Sequence, residues 1–217
     1  MLGKRLINTT VTGAAPSCTT DTLQVLGDTS CVAYYKMSDA TDESGSYDGT
    51  PTSVDFNVAG KFGNAGSFNG SSSKILSSVP KSSSQSFSFW TKHGTQSNST
   101  ATYLGYSNTG SNGFWALQIS SGNLSIIYWN GSTYARNTST TSITDNTWHN
   151  VILTTVGNVF NIYLDGNTTP VYTTTLSGFT HATRSDFQIS YETPDGSSSY
   201  FNGKIDQVRI FNKALTS

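Results

Sequence analysis

Apolar and polar residues alternate along most of this chain, in short runs that end at Gly, Asn, Asp or Ser. Residues 86–92 place Phe87 and Phe89 on one side of an extended segment, and residues 187–191 repeat the alternation. A period of two is typical of β-strands, while the period of 3.6 that marks amphipathic helices is almost absent. The pattern therefore predicts an all-β protein.

Turn residues divide the alternating runs into hairpins. Residues 114–120 and 124–129 flank a turn that contains Gly122, and residues 148–155 and 158–165 flank Val156-Gly157. Such turns join neighbouring antiparallel strands. Ten or more short strands predict two stacked antiparallel sheets.

The first thirty residues differ from the rest of the chain. Residues 1–30 are rich in Thr and Ser and poor in aromatic residues, so we expect an N-terminal arm or linker before a compact unit that begins at Cys31. Cys18 lies in this segment, and a Cys18–Cys31 disulfide would stabilise the fold by roughly 3 kcal/mol. Two thiols are equally compatible with the sequence, which leaves both states open.

The charge balance of the chain limits the kinds of molecule that it can bind. The chain has 12 Lys+Arg against 13 Asp+Glu, and Ser and Thr are its most frequent residues. A near-neutral balance provides no cationic field for a phosphate backbone, so we expect no nucleic acid partner. Apolar runs are too short to span a membrane, and none of secretory length follows Lys4-Arg5, so we expect neither membrane insertion nor an export signal in this chain.

Six segments resemble, in order, the laminin-G-like branch of the concanavalin A-like lectin/glucanase jelly rolls. They are residues 31–37, 60–70, 87–90, 146–151, 162–166 and 203–215. The resemblance implies a two-sheet antiparallel jelly-roll sandwich over residues 31–217 with an extended N-terminal arm over residues 1–30.

The segment from Ser17 to Tyr35 is similar to the start of such domains in structural proteins of tailed bacteriophages. This resemblance implies a virion protein on the surface of an extracellular particle, as a capsid decoration or a tail-associated component. The arm would then attach the domain to other virion proteins, in many copies or as a homo-oligomer.

Catalytic chemistry finds little support in the sequence. Glycoside cleavage needs two carboxylates roughly 5–9.5 Å apart. The two Glu residues of the chain, Glu43 and Glu192, lie in turn-rich segments, and the Glu-x-Asp-x-Glu strand of the glucanase relatives does not occur. Asp186, Glu192 and Asp195 are close in sequence, but Pro194-Asp195-Gly196 is typical of a turn. We predict that the protein is not an enzyme.

The family resemblance also implies one structural Ca²⁺. Many laminin-G-like jelly rolls bind calcium through the carboxylate at the position of Asp206 together with loop oxygens, for which Asp39, Asp42 and Asn69 are the candidates. Carboxylate and carbonyl oxygens are the ligands that Ca²⁺ prefers. The alternative is that Asp206 brackets a strand through backbone amides.

Aromatic side chains predict a binding surface. In residues 124–129, Tyr128 and Trp129 point to opposite faces, so one of them points away from the core if only one face is buried. Sugar rings are recognised by flat apolar faces flanked by polar groups, which favours a host-surface glycan as ligand. We expect Trp90 and Trp148 in the core and leave Trp115 and Trp129 open. The candidate binding residues are Tyr106, Trp115, Trp129 and Tyr134.

Three other functions remain compatible with this reading. A secreted bacterial carbohydrate-binding module would keep the fold, and a polysaccharide depolymerase would need a carboxylate pair that the sequence does not line up. A purely structural cement protein would bind no glycan.

Overall fold

The computed structural model describes residues 29–94, 99–106, 112–144, 146–191 and 199–215. Within these residues the chain forms fifteen β-strands and no helix, which confirms the prediction of an all-β protein. The described residues therefore contain no helix that could span a membrane. The strands are β1 Cys31–Tyr35, β2 Thr50–Thr52, β3 Asp55–Ala59, β4 Asn64–Asn69, β5 Lys74–Ser77, β6 Ser84–His93, β7 Thr100–Tyr106, β8 Trp115–Ser120, β9 Asn123–Trp129, β10 Tyr134–Ser142, β11 Trp148–Val156, β12 Val159–Leu164, β13 Tyr172–Thr175, β14 Phe187–Ile189 and β15 Asn202–Phe211.

The strands form two sheets. The eight-stranded sheet has the order β13-β12-β11-β6-β15-β4-β3, with β1 paired to the second half of β15. The seven-stranded sheet has the order β10-β9-β8-β7-β14-β5-β2. Every pair of these strands is antiparallel, and hairpins alternate with pairs from distant parts of the chain, such as β6 with β15 and β7 with β14, as in a jelly-roll sandwich. The predicted fold is confirmed.

Alternating side chains from both sheets fill the space between them. Phe87 of the eight-stranded sheet contacts Trp115 and Phe187 of the seven-stranded sheet, with ring centroids 5.3 and 6.0 Å apart. All three residues are buried. Burial of each such side chain contributes about 1.5–3 kcal/mol, so this aromatic layer holds the two sheets together.

Both predicted hairpins form, and their turns follow from the residues that occupy them. Ser121 and Gly122 join β8 to β9 with φ values of 48° and 85°, the two positive values that a type I′ turn requires. Gly157 joins β11 to β12 with φ 53° at the first turn position, where a type II′ turn favours Gly. These turns fix the register of the two hairpins.

The predicted N-terminal arm falls almost entirely on residues 1–28, which lie outside the described residues. Cys18 lies there too, while Cys31 opens β1. The arm and the Cys18–Cys31 disulfide therefore stay predictions.

Candidate functional site

The outer surface of the seven-stranded sheet carries an aromatic cluster that is separate from the main core. Alternation along β9 turns Ile126 and Tyr128 towards the core and Ile127 and Trp129 away from it. The prediction that one of the two aromatic residues points away from the core is thus confirmed, and that residue is Trp129.

Trp129 and Tyr134 form the partly exposed margin of this cluster. They lie opposite each other on β9 and β10, and their rings meet edge to face with centroids 5.0 Å apart. The Tyr134 ring also contacts the buried Phe114 ring at 5.4 Å. Edge-to-face pairs add about 0.5–1.5 kcal/mol to the energy of area burial, so these two rings form a fixed apolar surface.

Polar side chains continue across the sheet from the aromatic pair. The buried Gln118 donates from Nε2 to Thr102 Oγ1 at 2.8 Å and accepts at Oε1 from Nε of the exposed Arg136 at 3.3 Å. The buried hydroxyl of Ser125, opposite Gln118, has no hydrogen-bond partner within the described residues. We call Trp129, Tyr134, Gln118 and Arg136 the aromatic patch. The exposed guanidinium of Arg136 beside two partly exposed rings matches the chemistry that binds a sugar, and the buried Gln118 bonds that guanidinium.

Tyr106 and Trp115, two of the candidate binding residues, lie in the core instead. Both are fully buried, and both rings contact Phe87, at 6.3 and 5.3 Å. The Tyr106 hydroxyl donates to Pro80 O at 3.1 Å, and burial raises its pKa. Trp115 occupies an inward position of β8, in alternation with outward-facing residues. The prediction that these two residues extend the binding surface is wrong.

Trp90 and Trp148 are not core residues, which corrects a second prediction. Phe87 and Phe89 take the inward positions of β6, so Trp90 points outward and is only partly buried. Its ring contacts Phe62 edge to face at 5.8 Å. Trp148 lies on the same outer surface, one strand away. The eight-stranded sheet therefore has aromatic residues on its outer surface as well.

Asp42, a candidate calcium ligand, is buried and holds its own loop in place. Its carboxylate accepts hydrogen bonds from the backbone N–H groups of Tyr34 at 2.8 Å, Ser44 at 3.0 Å, Ser46 at 3.3 Å and Tyr47 at 3.0 Å. A carboxylate with this many donors has no oxygen turned to a cation. Asp42 is therefore a structural residue of the loop after β1.

Asp39 and Asn69 are likewise bonded within their own turns. The side-chain oxygen of Asn69 accepts the backbone N–H groups of Ser71, Ser72 and Ser73 at 2.9–3.1 Å. The exposed Asp39 accepts the N–H of Thr41 at 2.8 Å. Both residues cap turns.

Asp206 differs from these three because one of its oxygens is not engaged. Its Oδ2 accepts the N–H of Phe62 at 2.8 Å, while Oδ1 is buried and accepts no hydrogen bond from the described residues. Burial raises the pKa of this carboxyl, and the backbone N–H groups of Phe62 and Lys61 oppose the rise. The sheet register places Asn69 opposite Asn202, four residues away along β15.

These four residues do not fit one shared calcium site. Hydrogen bonds occupy three of them, and the described residues include no group of three His, Cys, Asp or Glu side chains that could hold a metal ion. Calcium binding by this chain stays a prediction.

The acidic residues also include a pair that sequence reasoning missed. Asp48 and Asp186 line one cleft of about 360 Å³ between β5 and the segment before β14. Asp48 accepts the N–H of Asp42 at 2.8 Å, and Asp186 is paired with Arg184, whose Nε is 3.0 Å away. Their separation of 138 positions in the chain gave no sequence signal. Glu43 forms an ion pair with Lys36, and Glu192 and Asp195 lie outside the described residues.

Solved structures with the same fold include sugar-binding proteins. Domain 4 of AbnA, a GH43 extracellular arabinanase from Geobacillus stearothermophilus in complex with arabinotriose, matches with a TM-score of 0.68 and 23% identity, over 86% of this chain and 94% of that one. The binding domain of botulinum neurotoxin serotype D matches with a TM-score of 0.65 and 19% identity, over 86% of this chain and 49% of that one. The TM-scores show a shared fold.

A third match comes from work on botulinum neurotoxin type C, whose cell entry depends on interaction with two ganglioside molecules. It has a TM-score of 0.64 and 18% identity, over 86% of this chain and 48% of that one. This chain thus spans about half the length of the toxin chains it matches. No curated protein sequence matches it.

A family model places the chain more directly. The model is that of Laminin_G_3, described as the concanavalin A-like lectin/glucanases superfamily, and it matches residues 62–217. Because this match covers most of the chain and the two-sheet jelly roll agrees with it, the protein belongs to the Laminin_G_3 family of concanavalin A-like lectins and glucanases.

Proposed function

We propose that this protein is a non-enzymatic, lectin-like domain that binds glycan at the aromatic patch. The observation that carries the proposal is the partly exposed Trp129–Tyr134 pair, held edge to face beside the hydrogen-bonded side chains of Gln118 and Arg136. Rings stack on the apolar faces of sugars, and a guanidinium group donates hydrogen bonds to their hydroxyls. The arabinotriose complex of the arabinanase domain and the ganglioside dependence of the type C neurotoxin support a sugar ligand on this fold.

The virion role is the second part of the proposal. In it, residues 1–30 attach the domain to other proteins of a tailed phage, on the capsid or the tail, and the jelly roll contacts glycans of the host surface. Many copies on one particle would multiply a weak affinity into firm adhesion, because each further contact forms at a high effective concentration. The similarity of residues 17–35 to phage structural proteins motivates this part.

A glycan array tests the ligand. We expect wild type to bind a limited set of glycans and Trp129→Ala to bind them at least tenfold more weakly, a change of about 1.4 kcal/mol. Phe62→Ala is the matched control, because Phe62 is an exposed aromatic residue in the turn between β3 and β4, which belong to the other sheet. We expect that control to bind as wild type does.

Two results would contradict glycan binding at this patch. One is the absence of any bound glycan, which would favour a structural cement protein. The other is unchanged affinity in Trp129→Ala and in Tyr134→Ala, both with thermal unfolding similar to that of wild type.

Particle labelling tests the virion role. Antibodies against the jelly roll should label intact phage particles, and mass spectrometry of purified particles should detect peptides of the chain. Recovery of the chain only in particle-free culture medium would instead favour a secreted bacterial carbohydrate-binding module.

The cleft between Asp48 and Asp186 is the observation that favours a depolymerase as second candidate function. Both carboxylates are hydrogen-bonded to protein groups, whereas a glycosidase needs one carboxyl group to give a proton to the leaving oxygen. We therefore expect no release of reducing ends from any glycan that the protein binds. Release that Asp48→Asn, Asp186→Asn or Glu192→Gln abolishes would overturn the non-enzymatic assignment.

A further inference from the structure

Two lysines lie on neighbouring strands at the outer surface of the eight-stranded sheet. Lys92 of β6 and Lys204 of β15 occupy directly opposite positions in the register. Both line the same cleft of about 130 Å³, together with Asn146 and Asn202. Like charges placed directly opposite on neighbouring strands destabilise a sheet, so this arrangement carries an energetic cost.

Neither lysine is neutralised within the described residues. No carboxylate of that part of the chain lies within ion-pair distance of Lys92 or Lys204, and the Lys204 ammonium donates to the carbonyl of Ala59 at 3.0 Å. The cleft therefore keeps a net positive charge.

The acidic side chains on neighbouring strands of this surface each accept a hydrogen bond from another group, and Oδ1 of Asp206 accepts none from the described residues. Asp206 accepts the N–H of Phe62, and Asp165 is 2.9 Å from the ring nitrogen of His149. Asp55 on β3 and Lys204 on β15 both lie opposite Ser67 of the intervening strand β4. The carboxylate of Asp55 accepts the N–H of Asn57 at 2.8 Å.

Aromatic side chains lie beside the lysines. Trp148 is directly opposite Lys92, and Trp90 is two positions before Lys92 on β6. Phe62, which is 54% exposed, contacts Trp90 edge to face, and the Lys61 ammonium lies 4.6 Å from the centroid of the Trp90 ring. Cationic and aromatic groups thus lie near one another on β11, β6, β15 and the turn between β3 and β4.

We propose that this cationic surface, defined by Lys92, Lys204 and Trp148, binds an acidic glycan. A sulfate or carboxylate group of the glycan would pair with the lysine ammonium groups of this surface, and the sugar ring would pack on Trp148. The surface is on the opposite side of the sandwich from the aromatic patch, so this second site does not depend on the first. Nucleic acid is the less suitable polyanion, because the whole chain carries a net charge of −1 and offers few cations to a phosphate backbone.

Titration with dextran sulfate and with polygalacturonate tests the inference, and unsulfated dextran serves as the neutral probe. We expect wild type to bind at least one of the acidic polymers and not dextran. Lys92→Gln/Lys204→Gln and Trp148→Ala should each weaken that binding at least tenfold. Lys36→Gln/Lys74→Gln changes the net charge equally at distant positions and should stay within twofold of wild type, as should Trp129→Ala.

Three outcomes would overturn the inference. They are the absence of binding to both acidic polymers, an equal loss of affinity in the Lys36/Lys74 control, and binding of duplex DNA as tight as that of the acidic polymers. Loss of neutral-glycan binding in Trp129→Ala reports on the aromatic patch alone, so the two sites succeed or fail separately. Thermal unfolding of each variant confirms that it is folded, and Trp148→Ala tests the site without any change of charge.

Discussion

The two outer surfaces of the sandwich differ in how far their outward-pointing side chains are buried. At the centre of the seven-stranded sheet, outward residues such as Gln118, Ser125 and Ile127 are fully buried, while the margin of the aromatic patch is partly exposed. On the eight-stranded sheet, Lys92 and Trp148 are partly exposed. An outward direction therefore does not make a residue accessible. The first surface offers a narrow, rigid edge to a ligand, and the second offers an open, charged face.

Gln118→Ala should have the largest effect on stability, because it removes a buried side chain that bonds both Thr102 and Arg136. The lost atoms leave a cavity and an unpaired hydroxyl, so we expect the free energy of unfolding to fall by about 2–3 kcal/mol. Urea unfolding measures this loss of free energy. Ser88→Ala, at a partly exposed outward position of β6, is the control and should change it by less than about 0.5 kcal/mol. Equal effects at the two positions would contradict the contrast between the surfaces.

Asp206 of the eight-stranded sheet extends the comparison to pH, because its carboxyl group titrates whereas the side-chain amide of Gln118 does not. Burial raises the pKa of Asp206, so the folded chain takes up a proton at a higher pH than the unfolded chain, whose carboxyl titrates near 3.8. Between those two pKa values the folded state binds more protons, and lowering the pH favours it. As the pH falls towards 3.8, the free energy of unfolding of wild type should therefore rise relative to that of Asp206→Asn. Below pH 3.8 the difference between the two proteins should stay constant. Urea unfolding of both proteins across this range measures the gain, and a relative loss on acidification would contradict the account.

Lys92→Gln should have the smallest effect, and it should be stabilising. Removal of one of two like charges at directly opposite positions in the register relieves their repulsion, which we expect to raise the free energy of unfolding by roughly 0.2–1 kcal/mol. The gain should shrink as NaCl is added, because salt screens the charges. Thermal unfolding at low and high salt measures it. A loss of stability would mean that Lys92 has a favourable partner.

Much of the fold follows from local sequence signals. Ser121-Gly122 sits between two alternating runs, and it forms the turn that these residues favour. β10 has no such signal: its run from Thr138 to Ser142 contains only hydroxyl residues, so no apolar alternation marks a strand. Hydrogen bonding to β9 makes β10 an edge strand, which depends on tertiary structure rather than on local pattern.

The sites were less predictable than the fold. Alternation shows that Trp90 and Phe89 point to opposite faces, but it does not tell which face the second sheet covers, and so the prediction of a core position for Trp90 is wrong. Trp115 and Trp129 presented the same ambiguity. Lys92 and Lys204 are 112 positions apart, and only the β6–β15 register brings them together.

The indole N–H signals of the four tryptophans test the central claim most directly. In ¹⁵N-resolved NMR spectra, titration with a glycan identified on the array should shift the Trp129 signal and leave that of the buried Trp115 unchanged. Trp90 and Trp148, on the other sheet, should respond to acidic polymers and not to this glycan. A glycan that binds without moving the Trp129 signal would contradict the account.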